Sequence, residues 1–410
     1  MENQQLRVVH LSIEDSYGAG RAAIRINNAL KKVGVDSKVY VLRKNEMADS
    51  YALSLSRLDR IKIRIATKMN NISLKKYHNH GYFHEDLYGI DLMKCPEVKN
   101  ADLIHFHWIN EGIWSRSFVK SLIKSQKPVV WTMHDMWPFT GGCHYDEFCE
   151  RYIKTCGGCR VLNSSLEKDD AYVAQKRKKK YLANLNIQLI GCSNWITAQA
   201  NDSYIGKVIR RKAVCIPNPI DAEKFKLYDK ELCKKILGIN SKKQLILFGA
   251  VNAATDKRKG AKYLKDAINM LSRDEYMLGV FGSKKDDLEI EGFESISFGR
   301  ISDDFHLALI YNSADIFVAP SLQENLANTV MESLACGTPV VAFKIGGMSD
   351  MIVHLKNGYL AREFDSNDLA EGIKFASTIG QNREAIHKSV MERFSEDIIG
   401  KRYLEIYKKI

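Results

Sequence analysis

The sequence predicts an α/β protein made of two doubly wound, parallel-sheet domains facing each other across a cleft. Three observations carry this. Strand-length apolar runs alternate with amphipathic helical stretches along the chain, the pattern of parallel sheets covered on both faces. The alternation occurs twice, over segments of similar size. Between the two sets, Ala213–Asp221 reads AVCIPNPID, with prolines flanking Asn218, a turn and linker signature.

In chain order, Leu6–Ile13 reads as a buried strand. Gly18-Ala19-Gly20 follows, then a helix over Arg21–Val33 with Ala22, Ile26, Ala29, Leu30 and Val33 at helical spacing. Gly34 stops it, and Ser37–Leu42 is the next strand, which completes a βαβ unit. Leu103–Phe106, Pro128–Thr132 and Gln188–Cys192 are further strands. Past the linker come strands at Leu245–Ala250, Met277–Phe281, Ser295–Phe298, Ile316–Ala319 and Val340–Phe343. Helical patterns lie at Ala261–Leu271, Phe305–Ser313, Thr329–Ala335 and Asp368–Ile379. The expected organisation is a Rossmann-like domain over 1–212 with a Cys-rich insertion at about 141–170, a second Rossmann-like domain over 213–390, and a terminal helix over 391–410 packing back on the first domain. In such sheets ligands bind beyond the carboxyl ends of the strands, so chemistry is sought in strand-to-helix loops.

Composition narrows the function. Hydrophobic residues are 45% and charged residues 27%, which excludes global disorder. With 7 prolines and 26 glycines, a linker-dominated or collagen-like chain is excluded. The net charge of +12 suits an anionic substrate, an anionic membrane surface or nucleic acid. No apolar stretch reaches the roughly 18–20 residues of a membrane span, and the first residues lack a signal-peptide pattern, so a cytoplasmic protein is expected. Its nine cysteines are then thiols or metal ligands.

The segment Asp315–Ala342, DIFVAPSLQENLANTVMESLACGTPVVA, runs strand, loop, helix, turn, strand. Glu324 sits in the loop and Glu332 in the helix, a little over two turns on. Free amides at a helix start favour a phosphate, and a carboxylate farther along can accept hydrogen bonds from sugar hydroxyls. This E-x7-E pair, with APS before it and ACGTPVVA after it, resembles the donor site of retaining glycosyltransferases of family 4, which have the GT-B fold, and within them a subgroup that builds capsule, exopolysaccharide and colanic acid. The likeness is most specific over 297–362 and recurs at 6–25, 129–145 and 214–221.

The resemblance implies that Glu332 contacts the nucleotide ribose and that Glu324 assists at the reacting sugar. It places the loop amides of Asn325 and Leu326 on sugar or phosphate; many members have Gly where Asn325 stands. Lys257–Gly260 (KRKG) opens the next upstream helix, and Lys259 matches the family lysine on the donor diphosphate. The family's earlier arginine is missing, with Ala250 and Asn252 in its place, and Arg258 is the substitute. Arg300, after Phe298-Gly299, matches a loop near the base. Gly18 and Gly20 match the family's glycine-bearing loop after the first strand, where a bare backbone lets phosphate and acceptor approach, and Arg21 follows them. His134 ends the strand of VWTMHD, and in the family such a histidine points at the transferred sugar; Asp135 is expected to orient its ring. His105 and His107 are candidates for lining the acceptor side.

Cys143, Cys149, Cys156 and Cys159 have the spacing C-x5-C-x6-C-x2-C, which suits a structural zinc with four thiolates or four reduced thiols in a long loop. Arg57–Asn70 puts Leu58, Ile61, Ile65 and Met69 along one helical face among five cations, a pattern for an anionic lipid surface or for an ordinary packed helix. Lys176–Lys180 could add to that face.

The expected activity is retaining hexosyl transfer from a UDP- or GDP-sugar to a glycan or lipid-linked glycan, without a catalytic metal, in cell-surface polysaccharide synthesis. The expected place is the cytoplasm, with peripheral attachment to the inner face of the cell membrane. A GT-B nucleotide-sugar 2-epimerase is the alternative within the fold. A basic nucleic-acid-binding protein with a zinc module is the alternative outside it, and Asp146, Glu147 and Glu150 within the cysteine cluster oppose it.

Overall fold

The computed structural model describes residues 5–45, 49–78, 80–249, 256–282 and 290–410. The chain divides into two compact units, Met1–Pro219 with Ile399–Ile410, and Ile220–Ile398. The division falls after Pro219, where the sequence placed it after residue 212.

Among the described residues the first unit holds seven strands: β1 Arg7–Glu14, β2 Asp36–Arg43, β3 Ser50–Ala52, β4 Leu103–Phe106, β5 Val129–Met133, β6 Ile187–Gly191 and β7 Val214–Cys215. Their order is β3-β2-β1-β4-β5-β6-β7, and every neighbour pair is parallel. The second unit holds β8 Gln244–Gly249, β9 Tyr276–Phe281, β10 Ser295–Gly299, β11 Ile316–Ala319, β12 Val340–Phe343 and β13 Gly358–Ala361. Their order is β10-β9-β8-β11-β12-β13, again all parallel. Both sheets reverse strand order at one place, between β1 and β4 and between β8 and β11. Helices leave such a sheet on opposite faces there, so the loops above that point part and make room for a ligand.

The strands β4, β5, β6, β9, β11 and β12 are buried throughout, which is why they read as largely apolar runs. In β1 the side chains alternate. Val9 and Leu11 join a core with Ile104, Trp114 and Trp131. Val8 joins the opposite core, where Ile399, Tyr403 and Tyr407 of the terminal segment are buried against Ile26, Leu30 and Val130. The helix after β1 starts at Tyr17, so Gly18 and Gly20 lie in its first turn and do not form a loop. Segment 141–170 is largely irregular, with a short turn at Arg151–Ile153, yet it buries Tyr152, Val161 and Leu162 in the first core.

Candidate functional site

In the second unit, β8 and β11 are neighbours although β9 and β10 intervene in sequence. The loops that follow them therefore meet. Gly260 makes this possible: at φ +71°, a Cβ there would lie 1.8 Å from the carbonyl oxygen of Pro320. The Leu322 amide donates to the Arg258 carbonyl at 2.8 Å, which ties the two loops together.

Glu324, 9% exposed, is the centre of this arrangement. Lys259 Nζ donates to its Oε2 at 2.7 Å and Arg258 Nη1 to the same oxygen at 3.2 Å. Arg258 Nη1 also donates to the Gln323 carbonyl at 3.0 Å, and its Nη2 meets Asp256 at 3.1 Å. A third loop, after β12, closes on Glu324 from the other side. Gly346 has φ +49°, and a Cβ on it would stand 1.8 Å from the Glu324 carbonyl oxygen. Two cations on one carboxylate oxygen are a ready anion site, since a diphosphate offers them more charge than Glu324 does.

The helix Asn328–Ala335 starts beside this cluster, and its N-cap residue, Ala327, has no side-chain group to cap it. Glu332, 2% exposed, points from the middle of that helix and accepts a hydrogen bond from the Tyr311 hydroxyl at 3.1 Å. Asn325 and Leu326 are buried. The structure thus gathers Arg258, Lys259, Glu324 and Asn325, with Leu326 and Glu332 on the segment that continues from them. Arg300 is exposed after the edge strand β10, which β9 and β8 separate from β11. Ala250 and Asn252 lie outside the described residues.

In the first unit, His134 follows β5 and, itself half-buried, ends a row of imidazoles whose other members, His107 and His10, are buried. His134 Nε2 bonds His107 Nδ1 at 3.0 Å, His107 Nε2 bonds His10 Nδ1 at 2.8 Å, and His10 Nε2 bonds Ser37 Oγ at 2.9 Å. Cys192 Sγ lies 3.6 Å from His134 Nδ1. Burial draws His134 down to about 4, against the charge of Asp135. Burial, with Lys31 adding to it, draws His10 down to about 3, and His105 and His107 fall well below their ordinary value for the same first reason. The row is neutral at pH 7. Each neutral ring has one N–H and one bare nitrogen, so the tautomers along the row are locked to one another.

The comparisons with known proteins agree with this geometry. A family model described as glycosyl transferases group 1 matches residues 242–377, the segment that holds the Lys259–Glu332 cluster. An uncharacterised glycosyltransferase of Methanocaldococcus jannaschii is 30% identical over 333 residues, 76% of each chain. The chain belongs to the group 1 glycosyl transferases. An Escherichia coli glycosyl transferase provisionally assigned to colanic acid biosynthesis is 27% identical over 289 residues, 67% of each chain. Anabaena HepE, solved in complex with UDP and glucose, superposes with a TM-score of 0.63 at 15% identity, over 99% of this chain and 100% of that one. The fold is GT-B, and the activity class is sugar transfer.

Several expectations about this glycosyl transferase need correcting. Asp135 does not orient His134. Its Oδ2 bonds His144 Nδ1 at 2.6 Å and accepts from Trp108 Nε1 at 3.1 Å, and its Oδ1 accepts the Trp137 amide at 2.9 Å. Burial pushes the Asp135 carboxyl up, but the charge and hydrogen bond of His144 outweigh that and hold it below the usual range. His105 does not line an open surface; it is fully buried, bonded to the Tyr407 hydroxyl at 2.6 Å and to Thr132 at 2.7 Å. Gly20 serves packing: a Cβ there would lie 2.6 Å from the Glu14 carbonyl oxygen, so it lets the helix press on the end of β1. A Cβ on Gly18 would meet no protein atom within 4 Å, so the space beside it is open. Lys176–Lys180 is not a free basic face. Lys178 is buried and donates to the Trp137 carbonyl at 2.5 Å, and Lys179 sits 3.8 Å over the Tyr204 ring.

The cysteines have the chemistry of a zinc set but not its spacing. Cys143, Cys156 and Cys159 are buried. Burial raises their thiols, Cys156 to about 12 and Cys159 to about 11, and the mutual charges of the group add to this. Backbone N–H groups of Arg151, Val161 and Leu162 favour the thiolate forms of Cys149 and Cys159. Four thiolates on one zinc stand about 4 Å apart. Among the described residues, the one set of three or more His, Cys, Asp or Glu ligand atoms within 4.8 Å of one another is His10, His105 and His107. The ring nitrogens of that trio already bond one another, Ser37, Thr132, His134 and Tyr407.

The sequence reading missed Gly346 and the imidazole row. The signals were present: a Gly-Gly pair two residues after β12, and a histidine in the middle of the mainly apolar LRVVHLSI.

Proposed function

We propose that this chain is a retaining hexosyltransferase that takes its sugar from a UDP- or GDP-sugar. The observation that carries the reading is the paired placement of Lys259 and Arg258 on Glu324, on the segment that leads into the helix bearing Glu332. In this reading Glu332 holds the ribose, while Lys259, Arg258 and the amides of Asn325 and Leu326 take the diphosphate and sugar. When the diphosphate arrives it replaces Glu324 on the two cations, and the freed carboxylate turns to the sugar. The anomeric C–O bond breaks toward a leaving group stabilised by fixed positive charge, which is normally a large part of such a barrier. The acceptor hydroxyl attacks on the same face, and its proton passes to the departing phosphate oxygen. His134, fixed as a neutral ring by His107, helps order the reacting sugar.

The acceptor proposed is a glycan or lipid-linked glycan of cell-surface polysaccharide synthesis. The work is done in the cytoplasm at the inner face of the membrane. None of the helices in the described residues is long and apolar enough to cross a membrane. Cys143, Cys149, Cys156 and Cys159 are proposed to hold a structural zinc, which requires the sulfurs to draw together. About one sulfur-ligated zinc per purified chain supports this, and a folded, metal-free chain overturns it.

The test of retention needs no acceptor. UDP-glucose, UDP-galactose, UDP-N-acetylglucosamine and GDP-mannose are incubated with the protein, and the sugar first released by slow hydrolysis is read by proton NMR. An α-linked donor is expected to give the α-anomer first. First appearance of the β-anomer overturns retention.

A further inference from the structure

The helix Arg57–Leu74 carries two apolar stripes, and only one of them is used. Ile63, Ala66, Asn70 and Leu74 face inward and are buried. Leu58, Ile61, Ile65, Met69 and Ile72 are 67%, 47%, 53%, 43% and 58% exposed. At about 100° per residue, those five fall within an arc of roughly 80°. Large apolar side chains aligned on open surface mark an interaction face.

The charges beside the stripe say what covers it. Arg57, Arg60, Arg64 and Lys68 flank one edge and Lys62 the other, against Asp59 as the helix's only acid. Among the described residues no carboxylate lies within 4.0 Å of Arg57, Arg60, Arg64 or Lys68, and Lys62 reaches Asp59 at 3.9 Å. A groove of about 580 Å³ continues the face, lined by Lys62, Ile65, Met69, Tyr88, Arg116 and Lys120. Arg116 and Lys120 are one turn apart on the helix Arg116–Ser125, so three cations stand around an apolar trough. That is the form of an amphiphile: an anionic head among ammonium and guanidinium groups, and a hydrocarbon tail against Ile65, Met69 and Tyr88.

We infer that this face docks the protein on an anionic bilayer, with the groove receiving the phosphate head of one lipid. This deepens the membrane-side part of the proposed function. A second copy of the chain is the poorer occupant, because a two-fold interface would set one cationic helix against its twin. Each cation near an anionic leaflet strengthens binding about fivefold, and the apolar stripe adds a term that salt does not screen.

The experiment is co-sedimentation of the full chain with vesicles of phosphatidylglycerol and phosphatidylcholine, with pure phosphatidylcholine for comparison. No sugar nucleotide is present, so failure here leaves sugar transfer untouched. The wild type is expected to pellet with the anionic vesicles only. The triple variant Lys62→Glu, Arg116→Glu, Lys120→Glu is expected to bind more than tenfold more weakly. The exposed-face variant Ile61→Ser, Ile65→Ser, Met69→Ser is expected to lose the binding that survives 0.5 M salt. Inorganic phosphate at 10 mM is expected to leave vesicle binding within twofold, and its full displacement would assign the groove to free phosphate instead. Equal binding to both vesicle types, binding to neither, a dimer broken by the serine variant, or wild-type affinity in either variant overturns the inference.

Discussion

The buried imidazole row makes the first unit acid-sensitive by a computable amount. An unfolded chain protonates its histidines near pH 6.5, whereas burial holds His134 at about 4 and His10 at about 3. Below pH 6.5 the unfolded state therefore binds protons that the folded state refuses, and stability falls with pH. Between pH 6.5 and 5 each of these rings costs about 1.7 kcal/mol, together about 3 kcal/mol. His105 and His107 act in the same direction. Lys178, held at about 7 by burial, has taken its proton before this window opens. Glu111, drawn down to about 2 chiefly by its hydrogen bond with His84, contributes stability that is lost only at lower pH. All five tryptophans, Trp108, Trp114, Trp131, Trp137 and Trp195, lie in the first unit, so their fluorescence reports on it alone. At about 2–4 °C per kcal/mol, the fluorescence melting point is expected to drop by about 6–12 °C between pH 6.5 and 5. A melting point that moves by less than about 2 °C would refute the buried, neutral row.

Other expectations concern single side chains. Glu332→Ala removes the buried carboxylate that accepts from the Tyr311 hydroxyl and should cost about 1–3 kcal/mol by calorimetry, whereas Glu332→Gln keeps an acceptor and should melt near wild type. Gly346→Ala drives a Cβ into the Glu324 carbonyl; UDP affinity by titration calorimetry is expected to fall at least tenfold, and unchanged affinity would show that the loop yields freely. Tyr403→Ala removes a fully buried ring from the core under the terminal helix and should cost about 3–5 kcal/mol in denaturant unfolding.

Much of the fold was legible because β4, β5, β6, β11 and β12 are buried on both faces and so are mostly apolar, with His105, Thr132 and Gln188 as single polar residues. The edge strand β3 escaped, being three residues long with two of them exposed. The helix Arg57–Leu74 was legible as a helix, but periodicity does not say which of two apolar stripes faces inward; packing decides that. At the site, Lys259, Glu324 and Glu332 stood out through motif spacing. The Gly346 contact did not, because it joins loops after different strands. The expectation for Asp135 failed on direction: next to a strand end, successive side chains point to opposite faces, so His134 meets His107 while Asp135 meets Trp108 and His144.

The central claim is a donor site built on Lys259, Glu324 and Glu332. The measurement that tests it most directly is a thermal-shift panel with UDP, GDP, dTDP, ADP and CMP on wild type and Glu332→Gln. At about 100 times its dissociation constant, a nucleotide stabilises its site by about 2.7 kcal/mol. The account predicts stabilisation of the wild type by UDP or GDP and a smaller stabilisation of Glu332→Gln, which keeps an acceptor but not the charge. Equal stabilisation of both proteins would contradict it by placing the nucleotide away from Glu332.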